Sequence, residues 1–267
     1  MTSTLAFDIA QFFPLLNHQI LLLIFRKGEF DSKVKQFFFN YLVERKIQYF
    51  WNNFFSPFFN VDVGVGQDST LSPILSVLYL APILYILEKH LKILKIPISI
   101  LSFVNYGFLI AQSKFLTISN NFLFCSYRVI SSLLKKFGLI LEYGKTEVFH
   151  FPRSNGVFDP SLLDLSALGG PILCPRNIWR YLGFIFNRKL SFCQHINHYA
   201  NKAILTVKCI KILRNLVCGL IPHQKQLLYR SCILPIALYS FQLWHYNKVP
   251  LLYPLKTLNK IQKRAAI

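Results

Sequence analysis

The string Gly64-Val65-Gly66-Gln67-Asp68-Ser69-Thr70-Leu71-Ser72-Pro73 constrains this chain most, because of what stands on either side of it. Upstream, Asp8 closes an apolar segment, Leu5-Ala6-Phe7-Asp8-Ile9-Ala10, that reads as a strand. Downstream, Phe103-Val104-Asn105-Tyr106-Gly107 lies between two β-like runs. Any fold must therefore supply, in this order, a carboxylate on a strand, a glycine-glutamine loop that runs into a helix, and a hairpin. Pro73 fits such a helix in its first turn, where a missing N–H leaves no bond unmade.

Periodicity and turn signals fill in the rest. Residues 4–10 are expected as a strand, 17–26 and 32–51 as helices, 58–63 as a short strand, and 71–94 as a long helix kinked at Pro82. Residues 98–104 and 108–112 read as a hairpin in which Gly107 supplies the permissive turn residue. A helix over 119–137 ends at Gly138, short strands follow at 139–141 and 147–151, and 153–175 is loop-like with Gly169-Gly170-Pro171 as its turn. Residues 181–186 read as a further strand. From residue 194 the signal turns helical, with Tyr199, Ala203, Val207 and Ile210 on one stripe, Lys208 and Lys211 beside it, and breaks expected at Pro222, Pro235 and Pro250. Mixed β and α followed by all-α predicts an α+β domain over 1–190 and a helical, basic region over 191–267.

At 267 residues the chain can bury a sizeable core, and 53% hydrophobic content excludes a chain dominated by disorder. Its formal net charge of +19 points to a polyanionic partner, nucleic acid or an anionic membrane surface. No Asp or Glu follows Asp164, whereas Lys and Arg recur to Arg264. A solvated face usually mixes both signs, so this one-signed C-terminal third favours nucleic acid. Residues 71–87 and 96–113 carry no charge and approach membrane-spanning length, but Pro73, Pro82 and Asn105-Tyr106-Gly107 interrupt them, and a packed core gives the same hydropathy. A membrane role is thus not the expectation. Six cysteines without a Cys-x-x-Cys pair, and no secretory signal, read as reduced, mostly buried thiols of an intracellular protein, nuclear or cytoplasmic. Cys193, His195 and His198 lack a second ligand pair at zinc-finger spacing and are read as structural.

The order of Asp8, the 64–73 string and the 103–107 turn resembles the palm of a reverse transcriptase. The wording of residues 5–14 and of Trp179-Arg180-Tyr181-Leu182-Gly183-Phe184 is similar to LINE-type (non-LTR) retrotransposon enzymes, closest to the fungal Tad-like group. The resemblance implies an α+β palm of antiparallel sheet and packed helices, then a helical thumb, with most of the fingers missing and no endonuclease or RNase H domain attached. It implies an RNA-directed DNA polymerase ancestry, RNA template and DNA primer as partners, and Mg²⁺ as the ancestral cofactor. Asp8 would be a metal ligand, the alternative being a strand-end Asp that caps the next turn. Phe13 would face the nucleotide sugar, or else be a core aromatic. Gln67, Asp68 and Ser69 would line the nucleotide site, although the family has Gly where Asp68 stands. Lys145, within Gly138-Leu139-Ile140-Leu141-Glu142-Tyr143-Gly144-Lys145-Thr146-Glu147, would assist release of pyrophosphate. Tyr181, Leu182 and Gly183, with Lys208 and Lys211, would hold primer and template.

At the hairpin turn the family carries two catalytic aspartates, and this chain has Asn105 and Tyr106. Two closely spaced Mg²⁺ ions need carboxylates to neutralise them. If each lost carboxylate forfeits roughly 3 kcal/mol, the pair costs on the order of 10⁴ in rate. The chain is expected to have lost polymerase activity and to hold Mg²⁺ poorly. Two alternative readings are a domesticated, non-catalytic nucleic-acid-binding protein and a membrane-associated protein.

Overall fold

Alternation decides the first element. In β1 (Thr2–Ala10) the odd positions Leu5, Phe7 and Ile9 are large and apolar, while Thr4, Ala6 and Asp8 are small or polar. Seven consecutive residues of this strand are buried, as befits the centre of a sheet. The computed structural model describes residues 1–67, 69–152, 162–213, 219–246 and 252–266. It divides into two compact units, Met1–Arg176 and Asn177–Ile267.

In the first unit β1 is followed by the short helix α1 (Phe12–Leu15) and by α2 (His18–Lys27). The Asn17 carboxamide oxygen accepts from the backbone N–H of Gln19 and Ile20 and so caps α2. Helix α3 (Ser32–Leu42), capped by Asp31, stops nine residues short of the helix expected over 32–51. The chain continues instead as a two-stranded ribbon, β2 (Lys46–Ile47) pairing with β5 (Phe59–Asn60) and β3 (Phe50–Trp51) with β4 (Phe54–Phe55). The cause is local: Glu44 takes a positive φ, and Asn52-Asn53 (φ 45° and 62°) form a two-residue turn whose twist matches a hairpin.

Helix α4 (Ser72–Ile93) contains both Pro73, in its first turn, and Pro82. Its Leu75, Tyr79, Ile83, Leu87 and Leu91 are buried at helical spacing. The second charge-free stretch is not helical: it forms β6 (Ile98–Phe103) and β7 (Tyr106–Gln112). The turn between them is Val104-Asn105, and the positive φ falls on Val104 rather than on Gly107. Gly107 lies within β7 for a different reason: a Cβ there would stand 2.1 Å from the Phe7 ring on the paired strand. Helix α5 (Leu116–Lys136) ends at Gly138 (φ 73°), and the Tyr79 hydroxyl of α4 donates to the Phe137 carbonyl at its end.

One edge of β1 pairs along its length with β7. The other edge is shared by β8 (Ile140–Leu141), opposite Ile9 and Ala10, and β9 (Glu147–Phe151), opposite Thr2 to Ala6. The resulting antiparallel order is β6-β7-β1-β8, with β9 continuing the β8 edge. Helices α4 and α5 bury the Leu5, Phe7 and Ile9 face in one apolar core. Helix α4, which holds most of the first charge-free stretch, is long and apolar enough to cross a membrane, yet its buried stripe belongs to this core. A small pair, β10 (Leu163–Asp164) and β11 (Ile172–Leu173), closes the unit; residues 153–161 of the expected loop lie outside the described residues.

The second unit begins at Asn177, ahead of the expected boundary at 190, because a hairpin precedes its first helix. Residues 181–186 are not one strand: β12 (Ile178–Tyr181) and β13 (Phe184–Asn187) pair around Leu182-Gly183, both at positive φ. Helix α6 (Cys193–Leu213) buries Tyr199, Ala203 and Val207, the stripe read from the sequence. Pro222 starts α7 (Pro222–Leu228) rather than breaking a helix. Pro235 lies in α8 (Leu234–Ala237), directly after a π-helical turn at Tyr229–Ile233. A wide turn of this kind accommodates a missing proline N–H. Helices α9 (Phe241–Tyr246) and α10 (Leu252–Ala266) complete the unit, and Pro250 lies outside the described residues.

Candidate functional site

Asp8 sits where the β1 edge changes partners. Ala6 pairs with Glu147 of β9 and Ile9 with Leu141 of β8, so the intervening chain loops out as a 3₁₀ turn at Tyr143–Lys145. The Glu142 N–H donates to the Asp8 carbonyl at 2.8 Å and pins that turn against the strand. This geometry delivers the Lys145 ammonium to the Asp8 carboxylate at 2.9 Å. On the opposite edge Asp8 pairs with Tyr106, and the preceding hairpin turn points the Asn105 carboxamide at Asp8. Asn105 Nδ2 donates to the other carboxylate oxygen, and the Asn105 carbonyl accepts from Ile9 N at 3.0 Å.

Both Asp8 oxygens thus meet protein donors, one of them a full positive charge. The Asp8 side chain is 2% exposed and that of Lys145 60% exposed. The hydrogen bond and charge of Asp8 push the Lys145 ammonium above its ordinary lysine range. The Asp8 carboxylate does not cap the following turn. Glu142, three residues before Lys145, also acts electrostatically on it.

A pair of Mg²⁺ ions does not fit this donor set. Hard cations need several oxygen ligands at once. Here Asp8 is neutralised by an ammonium, Asn105 turns an N–H toward it, and among the described residues no three His, Cys, Asp or Glu side chains cluster.

The other sequence-derived positions fall in two places. Phe13 is partly buried, edge-on to Phe12, and its carbonyl accepts from Val65 N. Gly64 N donates to Leu16, and the His18 ring meets the Gly64 carbonyl at 2.7 Å, so the glycine loop is strapped to the segment that carries Phe13. Gly64 (φ 91°) allows this approach to Pro14. Gln67 is exposed at the loop, and Ser69 accepts from Leu71 N at the start of α4. Asp68 lies outside the described residues.

Tyr181, Leu182 and Gly183 belong to the second unit, together with Lys208, exposed on α6, and Lys211, one turn further along that helix. The turn is clasped from beneath: Tyr239 donates to the Leu182 carbonyl and Tyr199 to the Gly183 carbonyl. A Cβ on Gly183 would stand 2.9 Å and 3.0 Å from those two hydroxyl oxygens. His195 is fully buried beside Phe184, Tyr199 and Tyr239; its Nδ1 accepts from Ile185 N and its Nε2 donates to the Tyr239 carbonyl. This use of His195 is structural. Burial lowers its pKa from the ordinary imidazole value. The sequence carried no signal for the Tyr199–Tyr239 clasp, whose partners are far apart in the chain.

Charge separates the units as well. Fourteen of the thirty Lys and Arg residues follow Arg176, and none of the eleven carboxylates does. Helix α10 buries Ile261 and exposes Lys256, Lys260, Lys263 and Arg264.

No family model and no curated protein matches this chain. Solved structures do. Apo telomerase from Candida tropicalis matches over 98% of this chain and 43% of its own, at TM-score 0.52 and 14% identity. Telomerase from the same organism in complex with a TWJ fragment of telomeric RNA matches over 99% of this chain and 44% of its own, at TM-score 0.51 and 12% identity. The chain spans less than half the length of the telomerase chains it matches. It has a mixed helix and antiparallel-sheet architecture with a reverse-transcriptase-like fold.

Proposed function

We propose that this chain is a nucleic-acid-binding protein on a reverse transcriptase scaffold, of LINE-type, Tad-like retrotransposon origin, in which metal-dependent DNA synthesis has been lost. On this reading the first unit is the palm, the second the thumb, and RNA is the ligand. The observation that carries it is the pairing of Asp8 with Lys145 and Asn105 at the place where the resemblance puts three carboxylates and their metals. A buried aspartate left alone needs a counter-charge, and here a lysine from the neighbouring turn provides it. The match to telomerase chains supports the scaffold, and a second unit with no carboxylate supports an anionic ligand.

The affinity for single-stranded RNA should follow from counterion release. If about six of the fourteen basic residues of the second unit meet phosphates, the slope of log K on log salt is about −4. Binding then weakens about 300-fold between about 50 and 200 mM salt. Equilibrium binding to an unstructured RNA over that range tests this; no binding, or binding indifferent to salt, refutes it. Glutamate at Lys256, Lys260 and Lys263 should weaken binding across all sequences alike.

A further inference from the structure

The ribbon formed by β2 to β5 is the least explained surface of the first unit. Tyr49, Phe50, Trp51, Phe54, Phe55 and Phe58 are each 60% to 76% exposed. At about 200 Å² per ring this is roughly 800 Å² of aromatic surface in water, above the roughly 300–600 Å² of the largest patch on an ordinary monomer. Alternation along the paired strands places these rings on both faces, with Phe50 opposite Phe55 and Trp51 opposite Phe54. A two-stranded ribbon of this length is at best marginal alone.

We infer that this ribbon is a self-association surface that pairs with the same ribbon of a second copy. Three features select that occupant. Paired edge to edge, two copies set their rows of rings side by side on both faces of one wider sheet, so rings that each copy alone exposes become neighbours. No charged residue stands between Ile47 and Val61, whereas a strand of nucleic acid needs cations interleaved with the stacking rings. Among the described residues each strand of the ribbon also has one neighbour and one open edge, so its backbone groups need partners that lipid does not supply.

The edge available is that of β2 and β3. Pro57, which has no N–H, interrupts the opposite edge between β4 and β5. Pairing through one edge about a two-fold axis closes at two copies. Each copy carries a formal charge of +19 while the ribbon itself is uncharged between residues 47 and 61, so repulsion comes from the rest of the molecule and salt screens it.

Sedimentation velocity on the intact chain, free of nucleic acid and lipid, tests this at about 1 and 50 µM in about 0.1 M and 0.5 M NaCl. The expected result is a monomer–dimer equilibrium that salt strengthens, and that Trp51→Ser with Phe54→Ser weakens at least about tenfold without changing the far-ultraviolet circular dichroism. Both rings are largely exposed, so the core survives their removal. A monomer at every concentration, open-ended oligomers, a dimer weakened by salt, or a dimer untouched by the double variant each overturns the inference. Loss of RNA or liposome binding by that variant, with its mass unchanged, also overturns it and assigns the ribbon to that ligand. The readout contains no nucleic acid, so its failure is separate from failure of the functional proposal.

Discussion

Removing the Lys145 ammonium should expose how much the first unit depends on it. Lys145→Met keeps most of the aliphatic stem and leaves Asp8 with the Asn105 amide as its remaining side-chain donor. Breaking a fully buried ion pair costs about 3–5 kcal/mol, and breaking an exposed one about 0–1 kcal/mol. Asp8 is closed to water at 2% exposure, but Lys145 at 60% is not, so solvent replaces part of the lost bond. An intermediate cost of about 1–2 kcal/mol follows. Hydrogen exchange at the β1 amides reads this in the first unit alone, as roughly 5- to 30-fold faster opening. Asp8→Asn should cost little, because it removes the buried charge and strands only an exposed lysine. The double variant should match Asp8→Asn, giving a coupling of about 1–2 kcal/mol. Asp8 raises the Lys145 pKa above 10.5, so the contribution is complete below that pH and disappears as pH climbs through the raised value. Exchange in Lys145→Met indistinguishable from the natural chain, or marked slowing of the natural chain by Mg²⁺, would refute the reasoning, the latter because a bound cation stabilises by mass action.

Two further outcomes follow from close packing and burial. Gly107→Ala places a methyl 2.1 to 2.8 Å from three Phe7 ring atoms and should cost about 2–3 kcal/mol, partly recovered with Phe7→Leu; a loss under about 0.5 kcal/mol in urea titration contradicts the packing. Burial holds the His195 pKa below 6.5, so as pH falls through that value the unfolded chain binds a proton that the native site resists. Stability of the second unit should be complete above about pH 6.5 and decline below it; Trp244 fluorescence reads the unfolding midpoint, and His195→Gln should flatten the slope.

Local signals carried the fold well where periodicity and caps agreed. The alternation of residues 4–10, the apolar spacing of α4, the stop at Gly138 and the Tyr199-Ala203-Val207 stripe all appear as elements. The ribbon was misread because its aromatics continue a helical spacing begun at Phe37 and Phe38, and because the break at Val43-Glu44 contains neither Gly nor Pro. The usable signal was Asn52-Asn53, a pair that tolerates positive φ at both positions. Gly107 shows the same limit from the other side. A glycine can be read from sequence as a turn residue, yet Gly107 answers to Phe7 a hundred positions away.

The site was legible in its members more than in its state. Asp8, Asn105, Tyr106 and Lys145 were each singled out, and the strand register brings them together. That Lys145 faces Asp8 depends on β8 and β9 sharing one edge of β1, a tertiary arrangement across 137 positions with no local trace. Asn105 presents its N–H, not its oxygen, to the Asp8 carboxylate.

Primer extension on an RNA template with Mg²⁺ or Mn²⁺ tests the central claim most directly, comparing the natural chain with an Asn105→Asp, Tyr106→Asp double variant. The account predicts no product above background from the natural chain and metal-dependent product from the variant with its carboxylates restored. Extension by the natural chain would contradict it.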